Sequence, residues 1–126
     1  MSHDAYRKTQ GVMAGPRDAE YQAFATVTAA LMAAQTRDAD NLSPLAEAVH
    51  RNRLLWGMLA TDCRDERNQL PDATRAAIID LDRYVQQCSR EIIRKRQSPQ
   101  PLIDINRMIM DGLAGREVSD PLPVSG

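Results

Sequence analysis

The chain is poor in the features that most often betray a chemistry. Among its 126 residues there is one tryptophan, one phenylalanine, two cysteines and two histidines. Cys63 and Cys88 form no Cys-x-x-Cys pair, and both fall on apolar helix faces, which suits small buried thiols in a reducing compartment better than a disulfide framework. His3 and His50 have no cysteine or carboxylate at ligand spacing, so no zinc site is expected. Asp38-Ala39-Asp40 starts like a calcium loop, but Leu42 and Val49 stand where ligands are needed and Ser43 where the turn glycine is needed. No glycine-rich phosphate loop or nucleophile elbow is present. Asp62, Asp65 and Glu66 cluster, yet Arg64 and Arg67 interleave them, as in a solvated loop. We expect no catalytic residue, no cofactor, no metal and no small-molecule substrate; the chain does not read as an enzyme.

Three further absences narrow the class. A net charge of −1 gives no global attraction to nucleic acid or anionic lipid. The N-terminus lacks the apolar run of a secretory signal. The least polar stretch, 22–34, is too short to span a bilayer, so no membrane insertion is expected and residence is taken as cytoplasmic.

What is present is helical punctuation. Hydrophobic residues make up 43% of the chain and are mostly Leu, Ile, Val, Met and Ala, enough for a core without staples. A short N-terminal helix fits about residues 2–10, ahead of Gly11 and Gly15. A first main helix starts near Pro16 and stops by the polar run from Thr36 to Asn41. A second starts at Ser43-Pro44, with Ser43 as its cap, and reaches about Cys63. Pro71 opens a third that meets no breaker before Ser98-Pro99, and a fourth runs from near Pro101 to Gly112–Gly115. The expected fold is all-α: a compact bundle of four main helices in a single domain, 1–115, followed by a mobile C-terminal tail, 116–126.

The apolar spacing supports a bundle. Thr74, Ile78, Leu81, Val85, Cys88 and Ile92 recur at alternating steps of four and three, a narrow seam that needs a partner helix at a shallow angle. Phe24, Val27, Leu31 and Ala34 repeat that rhythm. Leu45, Val49, Trp56, Leu59 and Cys63 serve the second helix, and Leu102, Ile105, Ile109 and Leu113 the fourth, widened by Ile103 and Met110. Phe24, Leu31, Trp56, Leu81 and Ile109 are therefore structural candidates. Asn52 and Asn106 interrupt apolar stripes. Buried amides need hydrogen bonds, so these two are expected to be satisfied inside the fold, for example by each other.

Binding signals remain. Residues 22–34 contain no charge, and Ala25, Ala29 and Ala33 repeat at helical spacing opposite the Phe24–Leu31 face, with Met32 alongside. Leu54 and Met58 lie four apart on the side away from Trp56. These six residues are the candidate partner surface. A second candidate is the stripe Arg83, Arg90 and Arg94, extended by Lys95 and Arg96, which could hold RNA phosphates. Asp80, Asp82 and Glu91 share that helix, and no aromatic is interleaved for base stacking.

Several segments resemble the flagellar biosynthesis regulator FlaF family: Tyr6; 16–24 (PRDAEYQAF); Asn52-Arg53-Leu54-Leu55-Trp56; Asn68-Gln69-Leu70-Pro71; and 101–113 (PLIDINRMIMDGL). The order and spacing of the set carry the likeness, which covers about residues 5–113; the tail has no counterpart. The resemblance implies a cytoplasmic factor that binds flagellin before export and supports its production. It also implies action alongside FlbT, a regulator of flagellin messenger RNA, and so an indirect link to that messenger. Direct RNA binding through the arginine stripe is the alternative.

Overall fold

The computed structural model describes the backbone of residues 2–35 and 41–114, with side chains from Asp18 onward. Four helices follow one another: α1 (Ser2–Gln35), α2 (Ser43–Arg64), α3 (Asp72–Lys95) and α4 (Gln100–Leu113). No strand occurs among the described residues. His3 (as a side chain), the loop at 36–40 and the tail from residue 115, with the expectations that fall on them, lie outside the described residues.

Helix starts follow local hydrogen bonding more closely than the bare residue types suggest. Ser43 is not the cap of α2 but its first residue. Its N–H donates to Asn41 Oδ1 at 3.2 Å, so Asn41 supplies the turn that launches the helix. Ser98 Oγ does the same for α4, accepting from Gln100 N at 3.1 Å. The largest departure is at the N-terminus. α1 is continuous through Gly11, Gly15 and Pro16, with no separate first helix. Glycine costs about 1 kcal/mol and proline about 3 kcal/mol inside a helix, penalties that bonded turns on both sides can outweigh.

The helices run antiparallel. Gln35 Nε2 at the end of α1 donates to Ser98 Oγ and Gln100 Oε1 at the start of α4, both at 2.9 Å. At the far end of α2, the Arg75 guanidinium donates to Cys63 O at 2.8 Å and Asp65 O at 3.0 Å. It thereby satisfies carbonyls that the end of a helix leaves bare and puts a cation at the negative pole of the dipole. α2 lies between α1 and α3, α4 packs on α1, and the α3–α4 pair is the least closely packed of the four neighbouring pairs.

Phe24, Leu31, Val49, Trp56, Cys63, Val85, Ile92, Leu102 and Ile103 are fully buried. The Phe24 and Trp56 rings meet edge-to-face, 5.4 Å between centroids. Two expected stripes shift. The α3 seam begins at Ile78, because Thr74 is exposed one turn earlier. In α4 the centre is taken by Leu102, Ile103 and Asn106, whereas Ile105, Ile109 and Leu113 are half-buried.

At the middle of the core, Asn106 binds three helices together. Its Oδ1 accepts from Trp56 Nε1 at 2.8 Å. Its Nδ2 donates to Asn52 Oδ1 at 2.8 Å and to Thr28 Oγ1 at 3.0 Å. Polar groups there lose water on folding, so each bond made avoids a penalty of about 1–3 kcal/mol. Between α2 and α3, Gln86 Nε2 donates to the Arg53 carbonyl and to Asp82 Oδ1, and its Oε1 accepts from Arg53 Nε at 2.9 Å. The two asparagines bond to each other as expected, but Asn52 is only half satisfied, its buried Nδ2 having no partner among the described residues; the Asp82–Gln86–Arg53 link and the fully buried Ser89 were not expected.

Candidate functional surfaces

The six residues of the first candidate surface lie on α1 and α2. The structure does not bring them together. At 100° per residue, Arg107 of α4, whose Nη2 lies 3.6 Å from Met32 Sδ, marks the α4 side of α1. Ala25 and Ala29 turn toward that side; Ala33 points straight out from the core. Ala25 is half-buried, and Ala29, Met32 and Ala33 are exposed. Leu54 and Met58 lie on the outer face of α2, 56% and 66% exposed. No described helix covers that pair, so the bundle leaves it to solvent.

Arg83, Arg90 and Arg94 lie on the outer face of α3, and the stripe is partly neutralised from within. Glu91 pairs with both Arg94 and Lys95, the latter at 3.0 Å, and Arg83 pairs with Asp80 at 3.4 Å. Those two cations hold the Glu91 carboxyl below the usual carboxylate range. The stripe thus offers a phosphate less unpaired charge than its five basic residues suggest. Of the structural candidates, Phe24, Leu31, Asn52, Trp56 and Asn106 are fully buried, and Leu81 and Ile109 half-buried against the core.

One surface has no precursor in the sequence reading. A cleft of about 420 Å³ opens at the end of the bundle where α2 stops. Leu59, Leu70, Ile78, Ile109 and Leu113 form its apolar wall. Glu20, Asp62, Asp65, Arg67, Asn68 and Gln69 complete its lining. Asp65 is held by Arg67, whose Nη2 lies 2.9 Å from Asp65 Oδ2, and this contact lowers the Asp65 pKa.

Burial raises the pKa of Cys63 and of Cys88, which keeps both thiols protonated and poorly nucleophilic at neutral pH. No group of three or more His, Cys, Asp or Glu among the described residues could hold a metal ion. No helix is long and apolar enough to cross a membrane, again among those residues.

No curated protein and no solved structure matches the chain. A family model described as "Flagellar protein FlaF" matches residues 2–113, which takes in all four helices and stops at the last residue of α4. A match over most of its length places the chain in a flagellar family: it belongs to the FlaF family.

Proposed function

We propose that this protein is a cytoplasmic regulator of flagellar biosynthesis that binds flagellin and supports its synthesis and export. The observation that carries the reading is the uncovered Leu54–Met58 pair on α2 of a flagellar-family chain. Leu54 belongs to the Asn52–Trp56 segment of the likeness, in which the inward-facing Asn52 and Trp56 build the core. A flagellin subunit awaiting assembly has amphipathic helices without partners, and laying such a helix over exposed Leu54 and Met58 removes apolar surface of both molecules from water. Action alongside FlbT is part of the same reading, with any effect on flagellin messenger RNA passing through that partner.

The test is calorimetric titration of the purified chain with monomeric flagellin. Wild type should form a defined complex. Leu54→Glu combined with Met58→Glu should weaken it at least about tenfold, the scale expected when two apolar side chains leave an interface. Helicity should be unchanged, because both side chains already face solvent. Absence of any complex with wild type would remove the flagellin reading, and unchanged affinity in the double variant would remove this surface from it.

A further inference from the structure

Two polar atoms of the core make no hydrogen bond among the described residues: Asn52 Nδ2 on α2 and Ser89 Oγ on α3. Both residues are 0% exposed. Their helices are held in register close by, where Arg53 Nε donates to Gln86 Oε1 at 2.9 Å and Gln86 Nε2 to the Arg53 carbonyl at 3.1 Å. Because α2 and α3 run antiparallel, one residue back from Arg53 and three on from Gln86 lead in the same direction. At about 1.5 Å of rise per residue, Asn52 and Ser89 differ in height by about 3 Å, and the lean of each side chain toward its own N-terminus narrows that difference. Asn52 Oδ1 is taken by Asn106 Nδ2 at 2.8 Å, so the other branch of the amide, Nδ2, is turned away from Asn106.

We infer that Asn52 Nδ2 and Ser89 Oγ together bind one buried water molecule, which joins α3 to the polar layer of the core. The chemistry of the ligand follows from the two groups. It must accept from an amide N–H and pair with a hydroxyl, which can donate or accept. A cation is repelled by the N–H donor. A buried anion needs a cation beside it, and the nearest in sequence, Arg53, is half-buried with its Nε on Gln86. A small neutral molecule fits, and a buried water typically has about two to four such partners. Room for it comes from the serine itself: the other buried residues of α3 are Ile78, Asp82, Val85 and Ile92, all larger.

The water completes a chain of hydrogen bonds across the bundle. Thr28 of α1 and Asn52 of α2 both bond to Asn106 of α4. Through the water and Ser89 the chain reaches α3, which has no bond to Asn106 among the described residues. α3 and α4 are the least closely packed neighbours, so apolar contact between them does little to fix the height of α3. A bond from Ser89 into the polar layer supplies that constraint, and it does so with directional groups that tolerate little sliding.

Two measurements on the full chain test this. The first turns on a sign. Ser89→Ala removes a single oxygen, and alanine is the better helix former. If Oγ has no partner, the variant gains stability, because a stranded hydroxyl leaves the core. If Oγ holds the water, the variant loses stability, and its urea midpoint falls with the slope unchanged. The fall is the expected result, and a midpoint that rises or stays put overturns the proposal. The second measurement needs no variant. A high-resolution crystal structure of the wild type should show one ordered water within about 2.7–3.2 Å of both Asn52 Nδ2 and Ser89 Oγ. A direct contact between the two atoms overturns the proposal, since the link would then need no ligand. A water on one of them alone, or a separate protein partner for each, overturns it as well.

Discussion

The middle of this bundle and its open end are built from similar residues and behave differently. At the middle, Asn106 meets Trp56, Asn52 and Thr28, and Phe24, Trp56, Leu102 and Ile103 are fully buried. At the end, Leu59, Ile78, Ile109 and Leu113 face one another across a cleft that no described element fills. The lesson is that aliphatic stripes alone do not close a bundle. The closed level is the one where a hydrogen-bonded amide fixes the mutual height of α1, α2 and α4, so that the side chains above and below it have a single way to fit.

If that is right, breaking the middle should cost the most. Asn106→Ala strands the Trp56 indole N–H and the Thr28 and Asn52 oxygens in the core and leaves a void. A loss on the order of 3 kcal/mol in urea unfolding is expected. A loss under about 1 kcal/mol would mean that water replaces the amide readily and that the middle is no more closed than the end. Ile109→Ala, at the edge of the cleft, deletes side-chain atoms that are already partly in water. It should cost about 1.5 kcal/mol, less than an aliphatic deletion in a sealed core. A cost equal to that of Asn106→Ala would erase the contrast between the two regions.

Arg75 tests the join between them, since it caps the end of α2. Arg75→Ala should cost about 1 kcal/mol, chiefly through the Cys63 and Asp65 carbonyls, which lose charge-assisted donors. Its ion pair with Asp72, whose side chain is 98% exposed, adds little. Asp72→Ala should therefore be nearly silent in the same measurement, and an equal effect would transfer the role from the carbonyls to the ion pair.

How much of this could be read from the sequence depended on whether the determinant was local. The positions of the starts of α2 and α4 were legible because proline acts locally, although the side chain that launches α2 is Asn41 and not the expected Ser43. Asn52 and Asn106 stood out because an amide inside an apolar stripe must find a partner, and the two stripes that face each other each held one. The continuity of α1 through Pro16 was not legible, because local penalties say nothing of what the flanking turns contribute. The cleft was hidden for a different reason. Periodicity tells which side of α4 is apolar, but whether Ile109 and Leu113 are covered depends on how closely α3 approaches, a distance fixed by contacts far away in the chain. Met58 and Leu54 were recognisable as outward-facing by angle alone, and both are exposed.

The smallest expected effect concerns the turn that joins the two loosely packed helices. Arg96 closes α3 in the left-handed conformation, φ 54° and ψ 46°, while the Gln97 N–H donates back to Ile92 O at 3.0 Å. That conformation costs a side-chain-bearing residue roughly 1 kcal/mol relative to glycine. Arg96→Gly relieves this cost but gives up a cation at the C-terminal end of α3 and adds freedom to the unfolded chain, each worth a few tenths of a kcal/mol. The net should be a gain of about 0.5 kcal/mol, read as a small rise in the urea midpoint with an unchanged slope. The sign carries the information. If the variant loses stability, the Arg96 side chain contributes at the turn beyond its backbone geometry. If it gains stability as expected, the left-handed backbone was the dominant cost at this turn.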